Sequence, residues 1–515
     1  MGNEDSIAQQ IFRGSSVTLI GQIIIGVSSF LLKIFLARDL STAEFGLLFA
    51  VINFIGFMNV FSHLGMNPAS KKFVSKFVAE DRWGMAKSSI IFSLLVITIA
   101  SLVVSGAFIF ASDFLATSYF GMPGKAVPVV IIMSIWFFFM SYYHLLKNIL
   151  QGFKDFTGNI FGSVIRLLVP FIGVLIFIFF FDLSVELAAL LYLVGPVLST
   201  VFYYIRLRRH HSEVVVRAKG GLSFGLGEKM FLFGLPLIFS GVASSVIGQV
   251  DTMMLTALTP LEDVGAFEAA KITKTSLGFL GGGLATPIFP IVSGLWSKGD
   301  RMALKKMMNF MTKFSFILIL PAALIFLAFP EIVIRVLYGS DYLSAANAMR
   351  ALSLGAVFWS IETVLVGSLS GIGKTKLALM VNGFAAIFNV VANYLLIHLY
   401  GLTGAAIATG LTFFLAFLLA FYYSRREIGF FPDFSPLLKV FGGSFLTLLV
   451  IVIVKGILPL SVWPLLIVSM SAGAIFYLFW IFEIGVVKGK DLDTIEENTP
   501  VPKRIVSFFR KYFVG

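Results

Sequence analysis

Long apolar runs separated by short polar stretches dominate the chain, and within the runs the apolar positions are continuous, not alternating. Runs of about 20 residues suit helices that cross a bilayer, whereas a membrane-spanning barrel would need residue-by-residue alternation. The pattern predicts spans near 15–37, 44–66, 88–111, 127–147, 160–181, 186–205, 231–257, 264–292, 311–329, 346–370, 377–398, 402–423, 437–457 and 460–483. The expected fold class is an all-α polytopic membrane protein with about 14 transmembrane helices.

Composition supports this reading. Hydrophobic residues make up 58% of the 515 positions and charged residues 13%, against roughly 25% charged in soluble domains. The polar surface that a soluble chain of this length would need is missing. The absence of cysteine removes disulfide frameworks, thiolate metal sites and cysteine nucleophiles together. The opening MGNEDSIAQQIFRG is unlike a cleavable signal peptide, so the first apolar run is expected to remain as a span.

The basic residues are distributed asymmetrically. With the N-terminus placed in the cytoplasm, the external stretches hold only Arg38, Lys125, Arg335, Arg350 and Lys455. The opposite side holds Lys71, Lys72, Lys76, Arg82 and Lys87, the cluster from Arg206 to Lys219, Lys298 to Lys306, Arg425, Arg426 and six cations of the C-terminal tail. This asymmetry predicts a multi-pass plasma-membrane protein with both termini cytoplasmic. It also accounts for the net charge of +12 without nucleic acid, since basic loops rest on anionic lipid.

Sliding the chain against itself by 219 residues aligns Gly46 with Gly265, Pro68 with Pro287, Asp81-Arg82 with Asp300-Arg301, Gly152 with Gly371, and Tyr203-Tyr204 with Tyr422-Tyr423. The repeated unit is six spans, so both copies enter the membrane in the same sense, as in transporters whose halves rock around a central site. The expected organisation is a cytoplasmic N-terminus over 1–14, an N-lobe over 15–209, a cytoplasmic interlobe linker over 210–230 and a C-lobe over 231–426. Two further helices over 427–483 and a cytoplasmic tail over 484–515 complete it.

LARDLSTAEFGLLFAV (36–51) resembles the first-to-second helix junction of polysaccharide-exporter flippases, and GLPLIFSGVASSVIGQVDTMMLTALTPLEDVGAFEAAK (234–271) with FPIVSGL (289–295) repeats that pattern. LYGSDYLSAANAMRALSLG (337–355) and HLYGLTGAAIATG (398–410) are similar to later segments of the same family. The superfamily also contains multidrug-and-toxin extruders and the lipid II flippase. The resemblance implies two six-helix lobes around a V-shaped cavity that opens alternately to either side and carries a lipid-linked oligosaccharide. Membrane lipids and the glycan polymerase or glycosyltransferase machinery are the further partners expected.

Charges inside spans are costly and normally face a cavity or a partner. Lys33, Arg166, Lys271 and Lys274 are the intramembrane cations, and Asp251, Glu268 and Glu362 the acids. A cationic, water-filled cleft suits a pyrophosphate, so the four cations are candidate substrate-binding residues. In the competing reading, Glu268 pairs with Lys271, Asp251 neutralises Lys33 or Lys274, and Lys33 extends toward the interface. Relatives in the extruder branch use a first-helix Asp after a Pro-containing start for proton or sodium coupling. Pro236 and Asp251 reproduce that layout in the second half, while Leu32 and Lys33 depart from it in the first. Asp251, Glu268 and Glu362 are therefore candidates for ion coupling or ion pairs. Asn53, Asn59, Asn382, Asn389 and Asn393 are expected to hydrogen-bond between helices.

Other chemistry lacks support. GIGKT (371–375) follows Ser368, where a phosphate-binding loop needs glycine, and no strand precedes it. No cofactor, resident metal or catalytic residue is expected. The leading reading is a flippase for polyprenyl-pyrophosphate-linked oligosaccharide. A cation-coupled extruder of small molecules on the same fold is the first alternative. A membrane glycosyltransferase or ligase is the second, although the external loops carry few acids.

Overall fold

The structure is a computed structural model that describes residues 2–285, 288–458, 462–489 and 491–492, with side chains described from residue 20 except over 279–285 and 462–463. The tail expected over 484–515 therefore lies outside the described residues from 493 onward, as does Pro287 of the repeat alignment.

Every described element is helical. Among the described residues, twelve segments are long and apolar enough to cross a membrane. The expected fourteen spans are recovered once two interruptions are recognised. One 54-residue segment, Thr375–Ile428, contains non-helical backbone at Gly401 (φ 54°, ψ −134°) and so supplies the two spans expected at 377–398 and 402–423. Glycine is suited to that left-handed φ. The span expected at 264–292 is interrupted by a turn at Lys271 between Leu261–Ala270 and Ile272–Ala285, and Ile288–Ser297 is described beyond it.

Packing groups the chain into two compact units. The first comprises Met1–Ala269, Ile334–Ala345 and Asn389–Ala405. Its helices are α1 (Gly2–Asp39), α2 (Thr42–Phe57), α3 (Asn59–Ser62), α4 (Met66–Ala79), α5 (Trp83–Phe110), α6 (Ser112–Ser118), α7 (Pro123–Gly152), α8 (Phe156–Phe180), α9 (Val185–His210), α10 (Phe224–Leu258) and α11 (Leu261–Ala270). α1 packs on α8, α7 on α9 and α5, and α10 on α2, α4 and α5.

The second unit comprises Ala270–Val333, Ala346–Phe388 and Ala406–Gly515. It holds α12 (Ile272–Ala285), α13 (Ile288–Ser297), α14 (Arg301–Ala328), the first half of α15 (Pro330–Leu337), α16 (Ala346–Gly371), the flanking parts of α17 (Thr375–Ile428), α18 (Phe434–Ile457) and α19 (Val462–Glu483). α14 packs on α16 and α18, and α18 on α19. Behind α19 the chain folds back: Val486, Val487 and Leu492 join Ile317, Tyr477 and Ile481 in one apolar cluster. Lys313 of α14 is neutralised there by Asp491 at 2.7 Å.

The surface is apolar and the interior holds small polar groups, the arrangement that lipid favours because it offers no hydrophobic drive between helices. On α5, Ile99, Leu102 and Val103 are exposed while Ser89, Ser93 and Ser101 are fully buried. Most of these hydroxyls return their hydrogen to the carbonyl one turn back, as Ser89 does to Met85 (2.9 Å), or cross between helices, as Ser105 does to the Ser134 carbonyl (2.8 Å).

The 219-residue register is visible at helix ends. α2 begins at Thr42 and α11 at Leu261, α7 ends at Gly152 and α16 at Gly371, α8 begins at Phe156 and α17 at Thr375. Even the turn before α8 is repeated, since Lys154 (φ 61°) answers to Gly373 (φ 82°). The copies slip by one residue near Asp81, where α5 starts at Trp83 while α14 starts at Arg301.

The equivalent elbows carry opposite charges. Asp155, the residue before α8, accepts from Gly158 N–H at 2.8 Å and from the Arg206 fork at 2.8 and 3.1 Å. His211 lies 3.5 Å from the same carboxylate and stacks on Phe153. Burial pushes the Asp155 carboxyl up, but the His211 and Arg206 side chains and the Gly158 N–H outweigh it and hold it well below the usual carboxylate range. At the matching place before α17 stands Lys374, and it pairs with Glu427 at 3.0 Å.

Candidate functional site

Two groups of ionisable residues lie inside the first unit. In one, Lys33 of α1 donates to Glu268 of α11 at 2.6 Å. The other carboxylate oxygen of Glu268 accepts from Asn53 of α2 at 3.2 Å and from Thr252 of α10 at 2.8 Å. Glu268 is 1% exposed and Lys33 22%, so the acid is enclosed while the lysine side chain is part-exposed. The ammonium also stands 4.5 Å from the Phe49 ring centre. The competing sequence reading sets Asp251 against Lys33 and Glu268 against Lys271; the structure instead pairs Lys33 with Glu268. Four helices thus converge on one carboxylate, which ties α1, α2, α10 and α11 together.

Asp251 of α10, buried at 3% exposure, accepts from Asn393 at 2.7 Å. Asn393 is fully buried and its carbonyl oxygen Oδ1 meets no hydrogen-bond donor among the described residues. A carboxylate and an unsatisfied amide oxygen in one buried place form an oxygen-rich environment that suits a hard cation. Asn53 and Asn393 bond between helices, as expected of them.

The second group surrounds Tyr143 of α7. The Arg166 guanidinium of α8 lies 5.1 Å from the ring centre, and Lys147 Nζ lies 5.6 Å from it and 3.5 Å from its hydroxyl. The hydroxyl donates to Ser163 at 3.0 Å. Arg166 points into the protein because it shares the stripe of Ser163, Leu167 and Pro170, while Phe161, Ile172, Ile176 and Phe179 form the exposed stripe. Among the described residues Arg166 and Lys147 make no salt bridge, and Arg166 Nε is buried without a hydrogen-bond partner. A cation at mid-bilayer costs at least ~2.5–3.5 kcal/mol on insertion scales, and stacking on tyrosine returns only ~0.5–2 of that.

In the second unit Lys274 stands 5.2 Å from the Phe413 ring centre, and Glu362 of α16 is buried beside Thr363. Lys271 sits at the turn between α11 and α12, where its carbonyl accepts from Thr275 N–H at 3.1 Å. Glu268 of α11 and Lys274 of α12 therefore lie on separate helices, with Lys271 at the turn between them. The structure brings Lys33 to Glu268, and Arg166 to a tyrosine and a second cation.

The sequence matches the polysaccharide biosynthesis protein family over residues 11–296, more than half the chain. The chain belongs to that family. A second match, to the MatE family, covers residues 236–395. A membrane protein of Methanocaldococcus jannaschii, MJ1068, described as uncharacterized, is 28% identical over 432 residues, 82% of this chain and 85% of the relative. The probable low-salt glycan biosynthesis flippase Agl15 of Haloferax volcanii is 24% identical over 192 residues, 37% of this chain and 40% of that protein. The solved lipid II flippase MurJ, in its inward closed conformation, superposes with a TM-score of 0.72 at 17% identity, covering 90% of this chain and 97% of that one. That likeness establishes the fold. Relatives of this polysaccharide biosynthesis family member are described as flippases, which supports a multi-pass membrane transporter.

Lys147, His144 and His63 were not singled out from the sequence. His144 lies within electrostatic reach of Arg166, Lys147 and His63, and His63 Nδ1 is buried without a partner. The sequence offered one signal for Lys147: it stands four residues after Tyr143, on the same helix face. Chemically, the Tyr143 group can hold an anion, and the Asp251 group can hold a cation or a proton.

Proposed function

We propose that this protein carries a polyprenyl-pyrophosphate-linked oligosaccharide from the cytoplasmic to the outer leaflet of the plasma membrane, with both termini cytoplasmic. The observation that carries this reading is Arg166: a cation on a protein-facing stripe, at membrane depth, with an unsatisfied buried nitrogen and no acid paired to it among the described residues. An arriving diphosphate provides the missing acceptor, and the guanidinium fork suits its oxygens. Lys33 in the first unit and Lys271 and Lys274 in the second are proposed as further headgroup contacts. Lys33 contributes a weaker net field because Glu268 already holds it. The division into an N-lobe over 15–209 and a C-lobe over 231–426 that move alternately belongs to the same proposal, as does work alongside glycan polymerase or glycosyltransferase machinery. Family membership and the glycan and lipid flippases among the relatives support it.

The test is export of lipid-linked glycan in cells that depend on this protein. Arg166→Ala should abolish surface glycan while the protein still inserts and folds; normal surface glycan would overturn the cargo reading.

A second reading is favoured by Asp251 and Asn393. The unsatisfied Asn393 oxygen beside a buried carboxylate supports cation or proton coupling at Asp251, in a flippase or in a small-molecule extruder. Asp251→Asn should remove dependence of transport on a sodium or proton gradient, and unchanged dependence would refute it.

A further inference from the structure

The Tyr143 group contains more positive charge than the function above requires of Arg166 alone. Lys147 and Arg166 approach one ring from α7 and α8, at 5.6 and 5.1 Å from its centre, and the helices that bear them are tied by Asn159, whose amide donates to the Lys147 carbonyl at 3.0 Å. The ring itself is fixed: it stacks on Tyr203 at 5.6 Å, its hydroxyl is held by Ser163, and Tyr203 in turn donates to the Asn159 carbonyl at 2.8 Å. The charged and titratable groups acting on this place are Arg166, Lys147 and His63 around His144, with Tyr203 beside Tyr143. Among the described acids, Glu268 acts together with Arg166 on Tyr192. Its carboxylate is already engaged by Lys33, Asn53 and Thr252.

Two cations held on a rigid aromatic plate, one a fork and one a point charge, with no carboxylate between them, match a group that carries two negative charges and several acceptor oxygens. We propose that Lys147 and Arg166 form a two-cation seat on Tyr143 for a phosphate or pyrophosphate group. This rests on the cargo reading given above and identifies Lys147 as a headgroup-binding residue of the first unit. Arg166 Nε gains the acceptor it lacks, Lys147 contributes the second charge, and the half-buried His63 and His144 nearby add no anion that would compete.

The seat is tested by binding of farnesyl pyrophosphate and of inorganic pyrophosphate to the full chain in lipid nanodiscs. Lys147→Gln and Arg166→Gln should each weaken binding about tenfold or more, the usual consequence of losing a hydrogen bond to a charged group. Lys147→Arg should stay close to wild type, as should Lys298→Gln in an exposed loop. Arg166→Lys keeps the charge without the fork and should bind several-fold more weakly, which reads the site should Arg166→Gln fail to fold. Tighter binding of the farnesyl compound assigns the seat to a lipid headgroup, and equal binding assigns it to free phosphate; both uphold it when the Gln variants lose affinity. Undiminished binding by Lys147→Gln beside a loss in Arg166→Gln overturns the seat and leaves the cargo reading standing, whereas undiminished binding by both removes the Arg166 contact on which both rest. Failure of the wild-type protein to bind either compound overturns both.

Discussion

Gly46 of α2 and Gly265 of α11 are counterparts in the 219-residue repeat, and they pack against each other. A Cβ on Gly46 would run into the Leu261 carbonyl and the Gly265 nitrogen, and a Cβ on Gly265 into the Thr42 carbonyl and the Gly46 nitrogen. Thr42 and Leu261 are themselves counterparts, so the contact is the same from both sides, as across a local two-fold axis. Gly46→Ala and Gly265→Ala should each cost about 1–3 kcal/mol, the usual range for overpacking, because backbone and not a movable side chain blocks the methyl. Gly106→Ala, in open space on α5, should be neutral or slightly stabilising. Thermal unfolding in detergent separates the three; equal midpoints would refute the close crossing.

Removing the acid at the convergence of four helices should be strongly destabilising. Glu268→Gln leaves Lys33 charged, with a neutral amide in place of its carboxylate partner, and breaking a buried pair from one side costs about 3–5 kcal/mol. The lower end applies because the Lys33 side chain is part-exposed. Adding Lys33→Met to Glu268→Gln should restore much of the loss. Unfolding midpoints of the single and double variants check this, and an additive double variant would contradict it.

Acid should weaken the elbow before α8. The Asp155 carboxyl titrates below its ordinary range, so the stability it contributes is complete above the unfolded value of about 3.9 and disappears as pH falls through the lower, folded value. Wild-type protein should lose thermal stability below about pH 4 more steeply than Asp155→Asn, which should be less stable at pH 7 and flatter with pH. Parallel profiles would argue against the clamp.

The chain has no cysteine, so single thiols report water access directly. Arg166→Cys, Lys271→Cys and Lys274→Cys should react with a membrane-impermeant maleimide, whereas Val174→Cys, fully buried on α8, should not. Reaction at none of the three would remove the hydrated setting that an anion-binding cation needs.

The spans were legible in the sequence because lipid demands long apolar runs, and the repeat because turn positions such as Gly152 and Gly371 keep their place. Span 8 read as one run because hydropathy does not register the turn at Lys271. Charge pairing was less legible. The acid that holds Lys33 is Glu268, and the acid that holds Lys313 is Asp491; no local spacing announces partners so far apart. Lys147 stood at the predicted end of span 4, where a lysine looks like an interfacial residue, and only the packing of α8 against α7 places Arg166 on the same tyrosine.

Asp155 and Lys374 occupy one address in a duplicated plan, yet each is matched to a partner of the other sign. A graft of residues 153–156 into 372–375 would set an acid against Glu427, and the reverse graft a base against Arg206. The two halves descend from one design and have ceased to be exchangeable parts.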